Sequence, residues 1–343
     1  MIEYKLQHKD LGPATFNLAL HSLRIVFMGT PEFAVASLDA LVKAGFNIVA
    51  VITAPDKAAG RGMQVQQSAV KKYATDHGIR VLQPEKLKSP DFIEELRSLQ
   101  ADLQVVVAFR MLPEIVWNMP RMGTLNLHGS LLPQYRGAAP INWSVINGEK
   151  QTGVTTFKLK HEIDTGDVLL QESFPIGEDE TAGEVHDRMK VIGARLLVET
   201  VSRLAEGSLQ ETPQSDMPAT VSAASTTTAS AASPLKHAPK IFSENCLIDF
   251  EKPVNEVHNL VRGLSPFPGA FTYLNTKMLK IYRSKKELNQ PTIAAGQFET
   301  DGKTFLKFAC TDGYLQVLEL QLEGKKKMPV EEFLRGYRFN KPS

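Results

Sequence analysis

The stretch LRIVFMGTPEFAVASLDALVKAGFNIVAVIT, Leu23–Thr53, decides the fold. Its first seven residues form an apolar run, interrupted only by Arg24 and closed by Gly29, the pattern of a strand buried on both faces. TPEFAVASLDALVKAG follows as a helix. Thr30 reads as its N-cap, Pro31 as its first helical residue and Gly45 as its stop. FNIVAVIT is then a second buried strand. Two strands joined by a helix of this length form a right-handed parallel unit.

The same alternation continues outward. QSAVKKYATDHG is a helix, IRVLQP a short strand, SPDFIEELRSLQ a helix capped by Ser89 with Pro90 after it, and ADLQVVVAF a strongly apolar strand. GTLNLHGS is another strand, PINWSVING a helix, and GVTTFKLK and DVLLQESFPI two more strands before the long helix in TAGEVHDRMKVIGARLLVETVSRLAEG. The pattern predicts an α/β fold with a doubly wound, mostly parallel sheet. Beyond it, several short strands with Gly and Pro punctuation predict a small β-barrel of OB-like type. Between the two, PQSDMPATVSAASTTTASAASPLKHAPK has too few large apolar groups to order itself and reads as a linker. The expected organisation is an N-terminal extension over 1–22, a catalytic domain over 23–209, a linker over 210–239 and the barrel over 240–338.

The chain has 343 residues, is 43% hydrophobic and 22% charged, and carries a net charge of +1, the profile of a soluble two-domain protein. No apolar run reaches the roughly 20 residues of a membrane span. The first residues have charges throughout and no cleavage pattern, so they are not read as a signal peptide. Cys246 and Cys310 lie outside any CxxC or CxxH pattern, so two reduced thiols are expected rather than a zinc site. Charge is uneven. From Lys236 onward there are 17 Lys and Arg against 12 Asp and Glu, and in the rest 22 against 26. A basic C-terminal part fits either a polyanionic partner or a solvated Lys cluster at Gly324–Lys327.

Candidate chemistry begins after the first strand. A single glycine, Gly29, stands where a dinucleotide fingerprint needs three, so an NAD site is not expected. Asn126 and His128 lie two residues apart in a strand and point the same way, at the strand end where open α/β sheets place ligands. An amide can donate to a developing oxyanion, and an imidazole can donate or carry a proton near neutral pH. A histidine in an apolar strand can equally be structural. Asp164, 36 residues after His128 in an Asp-Thr-Gly turn, is either the partner of that imidazole or an Asx-turn residue. Lys57 and Arg61 sit in a Gly/Ala loop that either contacts phosphates or is merely solvated.

Together these residues resemble a known family. Asn126-x-His128-x-Ser130-Leu131-Leu132-Pro133, Tyr135-Arg136-Gly137 and Asp164-Thr165-Gly166-Asp167 are similar to the folate-dependent formyltransferases. The resemblance implies Asn126, His128 and Asp164 as the catalytic set and 10-formyltetrahydrofolate as the donor. Ser130, Leu131, Leu132 and Pro133 then line the folate pocket, backbone groups near Phe109–Leu112 meet the pterin, and no metal takes part. Purine-pathway formyltransferases and formyltetrahydrofolate hydrolases share the set, so it implies the chemistry and not the acceptor. VFMGTPEFAVASL, APDKAAGRG, NLHGSLLPQYRGAAPINWSVINGE and LSPFPGAFTYL narrow the likeness to the members that formylate initiator methionyl-tRNA. In those the second domain is an OB-like barrel that helps to hold tRNA. The likeness then implies tRNA contacts at Lys57 and Arg61 and a cytoplasmic location; with no sign of oligomerisation in the sequence, a monomer is expected. Met63 and Gln64 depart from the basic pair common after AGRG, and Arg110 stands where glycine is common. The rival readings are a different acceptor (a purine ribonucleotide, a nucleotide sugar or water) and an RNA-binding module on an inactive scaffold.

Overall fold

A computed structural model describes residues 22–59, 64–217 and 234–339. The extension expected over 1–22 lies outside the described residues apart from Ser22, as do Arg61 and Met63 and the central part of the linker. Two compact units are formed. The first comprises residues up to His128, Thr155–Gln171 and Lys190–Asp216; the second comprises Gly129–Val154, Glu172–Met189 and the residues from Met217 on.

The opening run forms strand β1 (Arg24–Gly29), helix α1 (Glu32–Lys43) and strand β2 (Asn47–Ile52), with β1 and β2 parallel. Ile25 to Met28 are fully buried, which is why the run carries no polar face. The helix starts one residue later than its sequence signals suggest. Pro31, extended at φ −81 and ψ 175, is the N-cap, and Thr30 is not. Gly45 ends the turn as expected, at φ 82, where the left-handed region favours glycine.

The chain continues through hairpin strands β3 (Lys57–Ala59) and β4 (Gln64–Gln66), helix α2 (Ala69–Asp76) and strand β5 (Val81–Leu82). Helix α3 (Pro90–Ser98), strand β6 (Leu103–Val107), the short helix α4 (Glu114–Trp117) and strand β7 (Thr124–His128) come next. Pro90 opens α3 as predicted, although the Ser89 side chain makes no cap bond. After β8 (Arg136–Gly137) and α5 (Pro140–Ile146) come β9 (Gln151–Lys158), β10 (Val168–Pro175) and α6 (Ala182–Ala205). The main sheet has the order β10-β9-β7-β6-β1-β2-β5. Strands β5, β2, β1, β6 and β7 are parallel neighbours, and β9 runs antiparallel to β7. One face of the parallel strands packs Met28, Ile52 and Val106 against Phe92, Ile93 and Leu96 of α3.

Also in the second unit, SENC makes a single 3-10 turn at Ser243–Cys246, and α7 (Val254–Gly263) begins after Pro253. Strands β12 (Ala270–Leu274), β13 (Lys277–Glu287), β14 (Phe298–Thr300), β15 (Leu306–Ala309), β16 (Tyr314–Leu322) and β17 (Met328–Pro329) form one antiparallel OB-like sheet, followed by α8 (Val330–Gly336). Its core joins Val257 and Val261 of α7 to Leu279, Phe308, Leu315 and Val317. Cys246 and Cys310 are both free and buried in this core, and burial pushes the Cys310 thiol up to about 12.

The linker expected over 210–239 is tied down at both described ends. Thr212 and Val168 exchange backbone bonds of 2.8 and 2.9 Å within the first unit. In the second unit, strand β11 (His237–Ala238) pairs with β8. Gly137 allows that pairing, because a Cβ there would sit 2.5 Å from the Ala238 carbonyl oxygen.

Candidate active site

Strand β7 ends the parallel set, so its C-terminal end lies on the ligand-binding edge of the sheet. Asn126 stands opposite Val106 of β6 and Phe157 of β9, and His128 stands opposite Thr155. Period-2 geometry puts both side chains on one face. Asn126 is half-buried and His128 is buried. The imidazole and the Phe157 ring of β9 are arranged edge to face, centroids 6.4 Å apart at 83°.

Asp164 comes from the segment between β9 and β10. Its Oδ2 lies 3.7 Å from Nδ1 of His128, with side chains 12% and 7% exposed. That separation is slightly longer than a hydrogen bond. The chain thus brings an acid to an imidazole that shares a strand face with the Asn126 amide. His161 and Glu162, just before it in the same segment, are exposed.

The Asp-Thr-Gly turn is built for close approach. Asp164 has φ 55, in the left-handed region that Asp tolerates better than most residues. Gly166 has no room for a side chain, since a Cβ would lie 1.6 Å from the Lys158 carbonyl oxygen. Lys158 N donates to Asp167 O at 3.0 Å and closes the base of the loop. Gln214 was hidden in what reads as linker. It is buried, and its Nε2 donates to both Asp164 O and Gly166 O at 2.8 Å. A Pro-Gln-Ser-Asp run in a polar stretch gives no local signal of such a contact.

The flanking loops are also held. Ala108, just past β6, has φ 48. Arg110 donates to the carbonyls of Pro84 and Glu85, the latter at 2.9 Å, so this departure from glycine braces the loop that leads to the exposed Met111. Lys57 is exposed at the start of the β3–β4 hairpin. The residue before it, Asp56, is held by Lys71 at 2.5 Å and by Gln83 at 2.8 Å, and these charge-assisted bonds keep its carboxyl below the usual range. In the second unit the Ser130–Pro133 turn is self-bonded. Ser130 Oγ donates to Gln134 O at 2.6 Å, Leu132 and Pro133 are buried, and Leu131 is half-buried against Gly153. The Ser130 hydroxyl therefore shapes the turn.

The chain belongs to the formyl transferase family. The profile of that family, described as "Formyl transferase", matches residues 23–201, and "Formyl transferase, C-terminal domain" matches residues 240–338. Among individual proteins, it is 53% identical over 320 residues to the methionyl-tRNA formyltransferase of Bacteroides fragilis, covering 92% of this chain and 95% of that one. It is 52% identical over 322 residues to the methionyl-tRNA formyltransferase of Parabacteroides distasonis, covering 92% and 96%. Of solved structures, WlaRD, a sugar 3N-formyl transferase determined in the presence of dTDP and 5-N-formyl-THF, matches with a TM-score of 0.62 at 21% identity. That alignment covers 89% of this chain and all of the other, a likeness of fold. No helix among the described residues is long and apolar enough to cross a membrane.

Proposed function

We propose that the protein transfers the formyl group of 10-formyltetrahydrofolate to the free amino group of initiator methionyl-tRNA, giving N-formylmethionyl-tRNA for translation initiation. The observation that carries this reading is the meeting of His128 and Asp164 at 3.7 Å beside Asn126, in a chain half identical to methionyl-tRNA formyltransferases.

The reaction is acyl transfer. The amine nitrogen attacks the formyl carbon, the carbonyl oxygen becomes an oxyanion, the bond from carbon to N10 breaks, and N10 gains the proton that the amine loses. Asn126 supplies a neutral donor to the oxyanion, where a preorganised donor is typically worth about 3 kcal/mol of barrier. His128 supplies a second donor. Asp164 orients the imidazole and stabilises its protonated form while the proton moves. The Ser130-Leu131-Leu132-Pro133 turn offers aliphatic surface and a fixed backbone to the flat ring system of the folate, and the backbone of Phe109–Leu112 offers polar groups to the pterin. Lys57 and Arg61 serve the acceptor stem through its phosphates, supported by the basic balance of the C-terminal part. The acceptor belongs to translation, so the protein acts in the cytoplasm, and as a monomer.

One assay tests the reading. The protein is given formyltetrahydrofolate with charged initiator tRNA, with uncharged tRNA, or with no acceptor. Formylated methionyl-tRNA in the first reaction alone is the expected result. Loss of the formyl group in all three would assign a hydrolase instead.

A further inference from the structure

The family profiles leave residues 202–239 uncovered, yet Gln214 in that interval touches the loop that carries the acid of the site. We propose that Gln214 is a positioning residue for catalysis, setting the place of the Asp164 carboxylate by clamping the backbone on both sides of it. The proposal rests on the functional reading above.

The geometry is specific. A primary amide has two N–H donors on one nitrogen, and here that nitrogen lies 2.8 Å from two carbonyls two residues apart, Asp164 O and Gly166 O. Two carbonyl dipoles aimed at one point repel each other unless a donor stands between them. The left-handed φ of 55 at Asp164 turns its carbonyl toward that point, and the bare Gly166 lets the turn lie against Lys158. The amide is itself fixed. Gln214 is 6% exposed, and the segment just before it is locked to β10 by the paired backbone bonds of Thr212 and Val168. The chain thus returns, some fifty residues after Asp164, to hold its main chain from behind. Nothing in this arrangement touches a reacting atom. It acts by fixing where a carboxylate stands relative to His128, where a displacement of about 1 Å can cost as much as 100-fold in rate.

Two replacements separate the clamp from simple packing. Gln214→Met keeps the volume and removes both donors. Gln214→Glu keeps the shape and sets carboxylate oxygens against two carbonyl oxygens. Steady-state formylation should show kcat lowered about 10- to 100-fold in both variants. KM for methionyl-tRNA and for the folate donor should stay within about twofold, because no binding group is removed. The same replacements are then made in an Asp164→Ala background. A residue that works only through Asp164 has nothing left to position there, so Gln214→Met should cost less than about twofold. An unchanged kcat in both single variants overturns the proposal, as does an equal loss in the Asp164→Ala background. A rise in KM alone overturns it also. Thermal melting of each variant separates global unfolding from displacement; if Gln214→Glu unfolds, Gln214→Met decides. Failure of the wild-type protein to formylate methionyl-tRNA, or full activity of Asp164→Ala alone, would overturn the functional reading itself.

Discussion

His258 makes the stability of the second unit depend on pH in a way that can be worked from the structure. It lies on α7, 1% exposed, with Nδ1 2.9 Å from Ser284 Oγ on β13 and Nε2 3.2 Å from Asp179 Oδ1. Burial is the main cause that lowers its pKa from 6.5 to about 4. The charges of Lys286 and Arg262 push the same way, while Asp179 and a backbone bond near Glu178 push back. The folded protein therefore holds this ring neutral, whereas the unfolded chain takes up a proton from about pH 6.5 downward. Stability is retained above that pH and lost as pH falls from 6.5 toward 4. At 1.36 kcal/mol per unit the full loss approaches about 3 kcal/mol, and between pH 7.5 and pH 5 it is about 2 kcal/mol. Urea unfolding of the wild type and of His258→Gln at both pH values isolates this contribution, since every other titrating group is common to the two proteins. The wild type should lose about 2 kcal/mol more than the variant on acidification. Equal losses would refute the assignment of a neutral, proton-excluding site at His258.

Other outcomes follow from the active site and the fold. Asn126→Ala and Asp164→Ala should each lower kcat for formylation by about 100-fold or more, measured under saturating donor and acceptor. Arg61→Ala should raise KM for charged tRNA and leave that for the folate donor unchanged, as read from initial rates with each substrate varied. Gly137→Ala places a Cβ 2.5 Å from the Ala238 oxygen at a φ of 126, so it should destabilise the protein by about 2 kcal/mol or more in denaturant unfolding.

The parallel sheet was legible because its central strands carry runs of apolar residues buried on both faces. Ile25–Met28 and Val105–Val107 are examples. The start of the first helix was legible to within a residue. Thr30 and Pro31 both satisfy cap rules, and only the backbone angles at Pro31 decide between them. The pairing of Asn126 with His128 follows from strand geometry alone. The meeting of His128 with Asp164 does not, because a loop of this length has many paths and the turn signature is the same in all of them; the family resemblance supplies what local physics cannot. Gln214 and His258 were beyond both. One is a polar residue in a polar stretch, and the other sits on an amphipathic helix among ordinary neighbours. Each acquires its role from partners that are remote in sequence, such as Asp164 and Ser284.

The pairing of β8 with β11 has a consequence for synthesis on the ribosome. Gln134 Oε1 accepts from the Lys236 backbone, 102 residues downstream, and Arg136 pairs with His237. The segments Gly129–Val154 and Glu172–Met189 leave the exit tunnel early but belong to a unit whose remaining residues come only after Met217. The first unit has all its parts once Asp216 has emerged. The end of β7 can thus be assembled on a nascent chain, while the turn before β8 waits for the last third of translation to gain the Lys236–Ala238 segment. A domain exchange cut at the linker would leave that turn with foreign partners, so the two halves of this gene are poor candidates for modular recombination.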